Sequence, residues 1–151
     1  MTDILLSIQD KLIQEVSALK YVDEDWGQLD DYGPNAPVQW PCSLIDISAA
    51  QYTNLGQDRT AVPVQRQEGT VMISISFANL KLTNTSGKAP TTQKQKVFIL
   101  AGIVEDAHKV LQGFRPVEKQ GVLIRSSFGK VKRDDGVQLY KIMYSIGVHN
   151  V

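Results

Sequence analysis

Cysteine occurs once in this chain, at Cys42, and histidine only at His108 and His149. A single cysteine forms no intrachain disulfide, which fits a reducing compartment, and Cys42 reads as a buried free thiol in a strand. One cysteine and two separated histidines give no zinc-ligand spacing. No apolar run reaches the roughly 18 residues of a membrane span, so no membrane partner is expected. The N-terminus, MTDILLSIQDKLIQEV, has no basic residue ahead of its apolar ones and no small-residue cleavage site, which argues against a secretory signal. Aromatic residues make up only 7% of the chain, yet both tryptophans fall in WGQLDDYGPNAPVQWP (26–41).

What is present is ordinary in amount: 42% hydrophobic and 21% charged residues over 151 positions. A single domain over 1–151 is expected, able to bury roughly 70% of its unfolded surface. Net charge is zero, but its distribution is uneven. Residues 1–50 carry nine acids against two bases, a net of −7, and residues 51–151 carry fourteen bases against seven acids, a net of +7. Either the two halves intermix in space, or the molecule is dipolar and its acidic side meets the basic side of a second copy. Complementary patches of that kind steer association and set register.

Apolar spacing predicts the elements. Thr2 or Asp3 caps a helix whose stripe is Leu5, Ile8, Leu12, Val16 and Leu19, ending near Lys20. YVDEDW (21–26) reads as a short strand with exposed acids. Residues 26–41 hold Gly27, Gly33, Pro34, Pro37 and Pro41, which cannot continue a helix, and the expectation is an irregular inserted segment. CSLIDIS (42–48) reads as a strand and 51–63 as turn-rich. In 67–82, Val71, Ile73, Ile75 and Phe77 alternate with Met72, Ser74, Ser76 and Ala78, the clearest strand in the chain. TNTSGKAPT (83–91) is a polar loop. A helix over about 92–112 places Val97, Leu100, Ala101, Val104, His108 and Leu111 on one stripe and closes at Gly113. Strands follow at 121–133, with a bulge expected near Gly129, and at 137–150, joined by a tight turn at Asp134–Gly136. The order α-β-β-β-α-β-β, joined by hairpins, implies an α+β fold: a mostly antiparallel sheet with two helices packed on it.

No catalytic set emerges. His108 lies on an apolar stripe, as a satisfied core or boundary histidine does, and His149 lies at the C-terminus. No serine sits in a nucleophile-elbow pattern and no histidine–acid pair suggests a triad. Strand alternation turns Glu24 away from Asp23 and Asp25, which favours a solvated acidic edge over a cation site. TSGKAPT lacks the first glycine and the strand-to-helix context of a phosphate loop. Arg125, Lys130, Lys132, Arg133 and Lys141 make the last hairpin basic, with Phe128 beside them. The pI near 6.7, and Asp134 and Asp135 at the hairpin tip, argue against sequence-specific nucleic-acid binding and for a basic face that meets an acidic protein. The expectation is a non-enzyme with no cofactor and no metal.

The order of elements resembles the tail terminator (tail-completion) proteins of long-tailed bacteriophages and prophages, and the related head–tail joining proteins. The likeness spans nearly the whole chain: the amphipathic first helix, the short strand ending VDEDWGQLDD, the proline-framed PCSLIDIS, the long GTVMISISFANL, one helix, and the hairpin GKVKRDDGVQLYKIMYSIGV. The resemblance implies a homo-oligomeric ring, typically hexameric, that caps the tail tube and offers a surface to the head connector. It implies no catalysis and places the protein in the virion tail or neck, made and assembled in the bacterial host cytoplasm. The alternatives are a connector at another level of the neck, or a small non-enzymatic binding module with a basic hairpin. On the ring reading, segment 26–41 reaches a neighbouring subunit with Trp26, Tyr32 and Trp40 as anchors, and Asp30, Asp31, Arg125, Lys132 and Arg133 belong to the protein interface, where acidic and basic faces complement each other. The opposing possibility is that the tryptophans fold back over their own sheet. The loops 53–64 and 83–91 are candidates for a lumen or a stacked-ring face.

Overall fold

The computed structural model describes the backbone of residues 1–80 and 91–151, and side chains in those ranges except 91–97. Five strands form one sheet in the order β1-β2-β3-β5-β4: β1 Tyr21–Glu24, β2 Cys42–Gln57, β3 Gln65–Leu80, β4 Ile124–Val131 and β5 Val137–His149. β1 pairs parallel to β2, and every other pairing is antiparallel. Two long helices, α1 (Thr2–Glu15) and α3 (Thr91–Leu111), cover one face of this sheet. The α+β expectation therefore holds, with one helix more than predicted.

Alternation on the central strand drives this arrangement. Val71, Ile73, Ile75 and Phe77 are all fully buried, facing α1 and α3 alongside Ile142, Tyr144 and Ile146 of β5. From α1 come Ile4, Ile8 and Leu12, followed by Val16 and Leu19 in the turn behind it. α1 ends at Glu15, earlier than predicted, yet the stripe continues to bury through Leu19 because the irregular turn stays against the sheet. α3 buries Leu100, Ile103, Val104, Ala107 and Leu111. Ala101 and His108, predicted on the same stripe, lie at its half-buried margin. The predicted Val97, like the loop 83–91, lies outside the described side chains.

Three boundaries differ from the sequence reading. β2 does not stop at Ser48: it bulges between Ile47 and Ala49 and again between Asn54 and Gly56, and pairs with β3 as far as Gln57. The stretch read as turn-rich is therefore the outer half of a long hairpin, with the turn confined to 58–64. Gly56, at φ +97°, takes the left-handed conformation that such a bulge needs. β4 begins at Ile124 rather than 121, and its bulge falls between Arg125 and Ser127 rather than near Gly129.

The segment 26–41 is not irregular throughout. Gln28–Tyr32 forms the short helix α2, and Gly33–Asn35 a 3-10 turn. The glycines and prolines bracket this helix instead of interrupting it: Gly27 (φ +92°) precedes it and Gly33 (φ +55°) closes it. Leu29 and Ala36 join Cys42, Leu44, Ala78, Val137 and Leu139 in a second small core, with Val38 and Trp40 packed against it. Strand alternation sets Cys42, Leu44, Ala78 and Leu139 on the face opposite α1 and α3, so the segment crosses beneath that end of the sheet.

Candidate interaction surfaces

Residues Trp26–Tyr32 form a knob whose shape is set by one buried glutamine. Gln28 is fully buried; its Oε1 accepts from the Trp26 N–H at 2.9 Å and its Nε2 donates to the Glu24 carbonyl at 3.2 Å. Asp25 Oδ1 accepts from the Gly27 N–H at 2.9 Å. These bonds tie the strand end to the start of α2. They leave Trp26 and Tyr32, 52% and 54% exposed, packed edge to face at 6.1 Å between centroids. Glu24, Asp30 and Asp31 around them are exposed. No residue from Tyr21 to Asp58 is basic.

Arg133 is turned inward, where its guanidinium donates to Asp135 Oδ2 at 2.7 Å, Asp30 Oδ1 at 2.8 Å and the Leu29 carbonyl at 2.8 Å. Asp135 in turn accepts from the Val137 N–H at 3.1 Å. The hydrogen bonds that Arg133 donates to Asp135 raise the Arg133 pKa and hold the Asp135 carboxyl below the usual range. This clamp ties α2 to the β4–β5 turn across more than a hundred residues of sequence. The two charge pools thus intermix at one point, while Arg125 and Lys130 on edge strand β4, and Lys132 just after it, stay exposed. Trp40 is half-buried and covers its own sheet. Of the three proposed aromatic anchors, two face outward and one folds back.

Between α3 and β4 lies a groove of about 320 Å³, mostly apolar, with Val104, His108, Phe128 and Tyr140 in its walls and Glu105, Lys109 and Arg125 at its rim. Phe128 stacks on Tyr140 at 5.8 Å and 8°, and Lys130 lies over the other-strand Tyr140 ring at 5.8 Å. Phe128 is 53% exposed on edge strand β4, where none of the described residues covers it.

His108 is accounted for structurally. Its Nδ1 lies 2.9 Å from the Tyr144 hydroxyl, the two rings stacked at 6.0 Å. Burial pushes the Tyr144 phenol up to about 12, and burial followed by the Arg125 charge lowers the His108 pKa. Both shifts favour a phenol O–H donating to a neutral imidazole. A depressed histidine pKa means that the unfolded chain binds the proton more tightly. The associated stability is complete above the ordinary value of 6.5 and is lost as pH falls through the depressed one. Thermal midpoints should therefore decline as pH is lowered from about 7.5 towards 5, and His108→Gln should flatten that slope; an unchanged slope would assign it to other groups.

Cys42 is fully buried and its thiol is pushed up to about 12 by burial, as the free-thiol reading required. Among the described residues, no group of three or more histidine, cysteine or acidic side chains is placed to hold a metal, and no helix is long and apolar enough to cross a membrane.

These features define a class by shape: an α+β fold carrying an acidic aromatic knob, a basic sheet edge and a hairpin arm. No protein-family model and no curated protein matches this chain. Among solved structures, its fold is similar to that of a chain from a particle described as "Virion of native gene transfer agent (GTA) particle", with a TM-score of 0.55 at 10% identity, over 96% of this chain and 93% of that one.

Sequence reasoning missed Gln28 and the groove. A glutamine between Gly27 and Leu29 has no pattern that marks it as a buried staple. The groove joins residues 104–108 to 125–140, which only the docking of α3 on the sheet edge brings together.

Proposed function

We propose that this chain is a structural component of a phage-like virion, and within it a tail terminator: a homo-oligomeric ring, six-membered on the family resemblance, that caps the tail tube and receives the head connector. The observation that carries the reading is a fold shared end to end with a chain of a virion particle. A likeness covering nearly all of both chains supports reading the whole chain as such a component. The hairpin arm 49–70 adds support. Its strands leave the helix-covered core and present Tyr52 and Leu55 to solvent, with Val62 and Val64 exposed in the turn, as an element does when it must reach a stacked ring. The work is done by surface and shape, with no catalytic step.

The test is to delete the gene in its producing strain and measure the particles by electron microscopy. A terminator limits tube growth, so its loss should give tubes of broad, excessive length without attached heads. Tubes of normal length that fail to join heads would place the chain at another level of the neck. Particles unchanged in form, and free of the chain by antibody labelling, would overturn the virion reading.

A further inference from the structure

We infer that the acidic knob at Trp26–Tyr32 of one copy docks into the basic-rimmed groove between α3 and β4 of a second copy. This deepens the ring reading and rests on it. The two surfaces are complementary in both respects that matter. The knob presents two exposed aromatic rings held edge to face, with Glu24, Asp30 and Asp31 beside them. The groove presents the exposed Phe128 face and the Tyr140 ring, with Arg125 at its rim and Lys130 over the Tyr140 ring, while on the α3 side Glu105 faces Lys109, itself 4.0 Å from Asp106. Aromatic anchors in an apolar recess ringed by opposite charge are the recurring anatomy of a protein interface.

One copy cannot satisfy itself. α2 packs under the face of the sheet opposite α3, so a copy's knob and its own groove lie on different sides of the sheet. The contact joins two different surfaces of the chain; on the ring reading it is made head to tail, a heterologous contact that closes into a ring. Edge strand β4 would be covered in the process, and an uncovered edge strand is an aggregation hazard that a partner removes. Asp30 is already held by Arg133, so Asp31 is the acid free to pair across the contact, with Arg125 its counterpart.

The experiment is sedimentation of the wild-type chain, Asp31→Lys, Arg125→Glu and the double swap, over a range of concentrations at low and high salt. Self-association should weaken about tenfold in each single variant, recover in the swap, and weaken with salt in the wild type. Trp26→Ala and Phe128→Ala should each weaken it comparably without changing the fold by circular dichroism. Because Cys42 is buried, mixing Tyr32→Cys with Phe128→Cys should give a disulfide between the two variants and little within either. Association equal in all variants would place the contact elsewhere and leave the ring reading standing. A wild type that stays monomeric at every concentration would overturn the docking, whereas the tail-length experiment judges the terminator reading independently.

Discussion

Arg133→Ala should lower stability by about 3 kcal/mol, a drop of about 6–12 °C in thermal midpoint for a chain of this size. The side chain is only 13% exposed. Its removal leaves the Leu29 carbonyl with only the Gly33 N–H and the Asp135 carboxylate with only the Val137 N–H. Three charge-assisted hydrogen bonds made by a largely buried guanidinium are lost at once, and two part-buried acceptors lose their charged donor. Asp30→Ala is the contrast. Asp30 is 82% exposed in that pair, so its loss should cost under about 1 kcal/mol. The comparison by thermal or urea denaturation decides the matter: equal costs would mean that the clamp adds nothing beyond an ordinary surface ion pair. The same reasoning shows why Asp31, rather than Asp30, is the clean probe of self-association.

The second large effect is expected at Gly69→Val. Gly69 pairs with Tyr52 on one side and Val148 on the other, where the hairpin arm leaves the core. A Cβ there would stand 2.7 Å from Tyr52 Cδ1 and closer still to the Gln51 backbone carbonyl. Backbone cannot yield as a side-chain tip can, so β2 must move away from β3. The expected cost is about 2–3 kcal/mol. Hydrogen exchange should localise it, with amides of 52–57 and 65–68 losing protection while those of 71–78 keep theirs. Gly129→Ala, in open space on β4, should be neutral or slightly stabilising. Uniform loss of protection across both segments would show that arm and core unfold together and that the arm is no separate unit.

The α+β class, the two long helices, the long central strand and the buried thiol were legible in the residues themselves, because each rests on a periodicity that local geometry imposes. Alternation at Val71–Phe77 and the three-and-four spacing of α1 need no knowledge of what they pack against. The α2 turn was misread because the flanking glycines and prolines look like helix breakers, whereas they delimit a helix of five residues. The outer half of β2 was misread because a strand exposed along its outer half has no apolar alternation to reveal it. Its pairing with β3 supplies the order that its own side chains do not.

From its sequence alone this chain was bound to fold as a sheet covered by two helices, since its apolar residues recur at strand and helix periods and must be buried together. Only the tertiary structure decided which charges face outward. It turned Arg133 inward onto Asp135 and Leu29, left Arg125 on the open edge, and split the aromatic anchors between knob and core. The physical reason is that those outcomes depend on how distant segments dock, as where Arg133 meets Leu29 and Asp30 more than a hundred positions away, for which no local pattern exists.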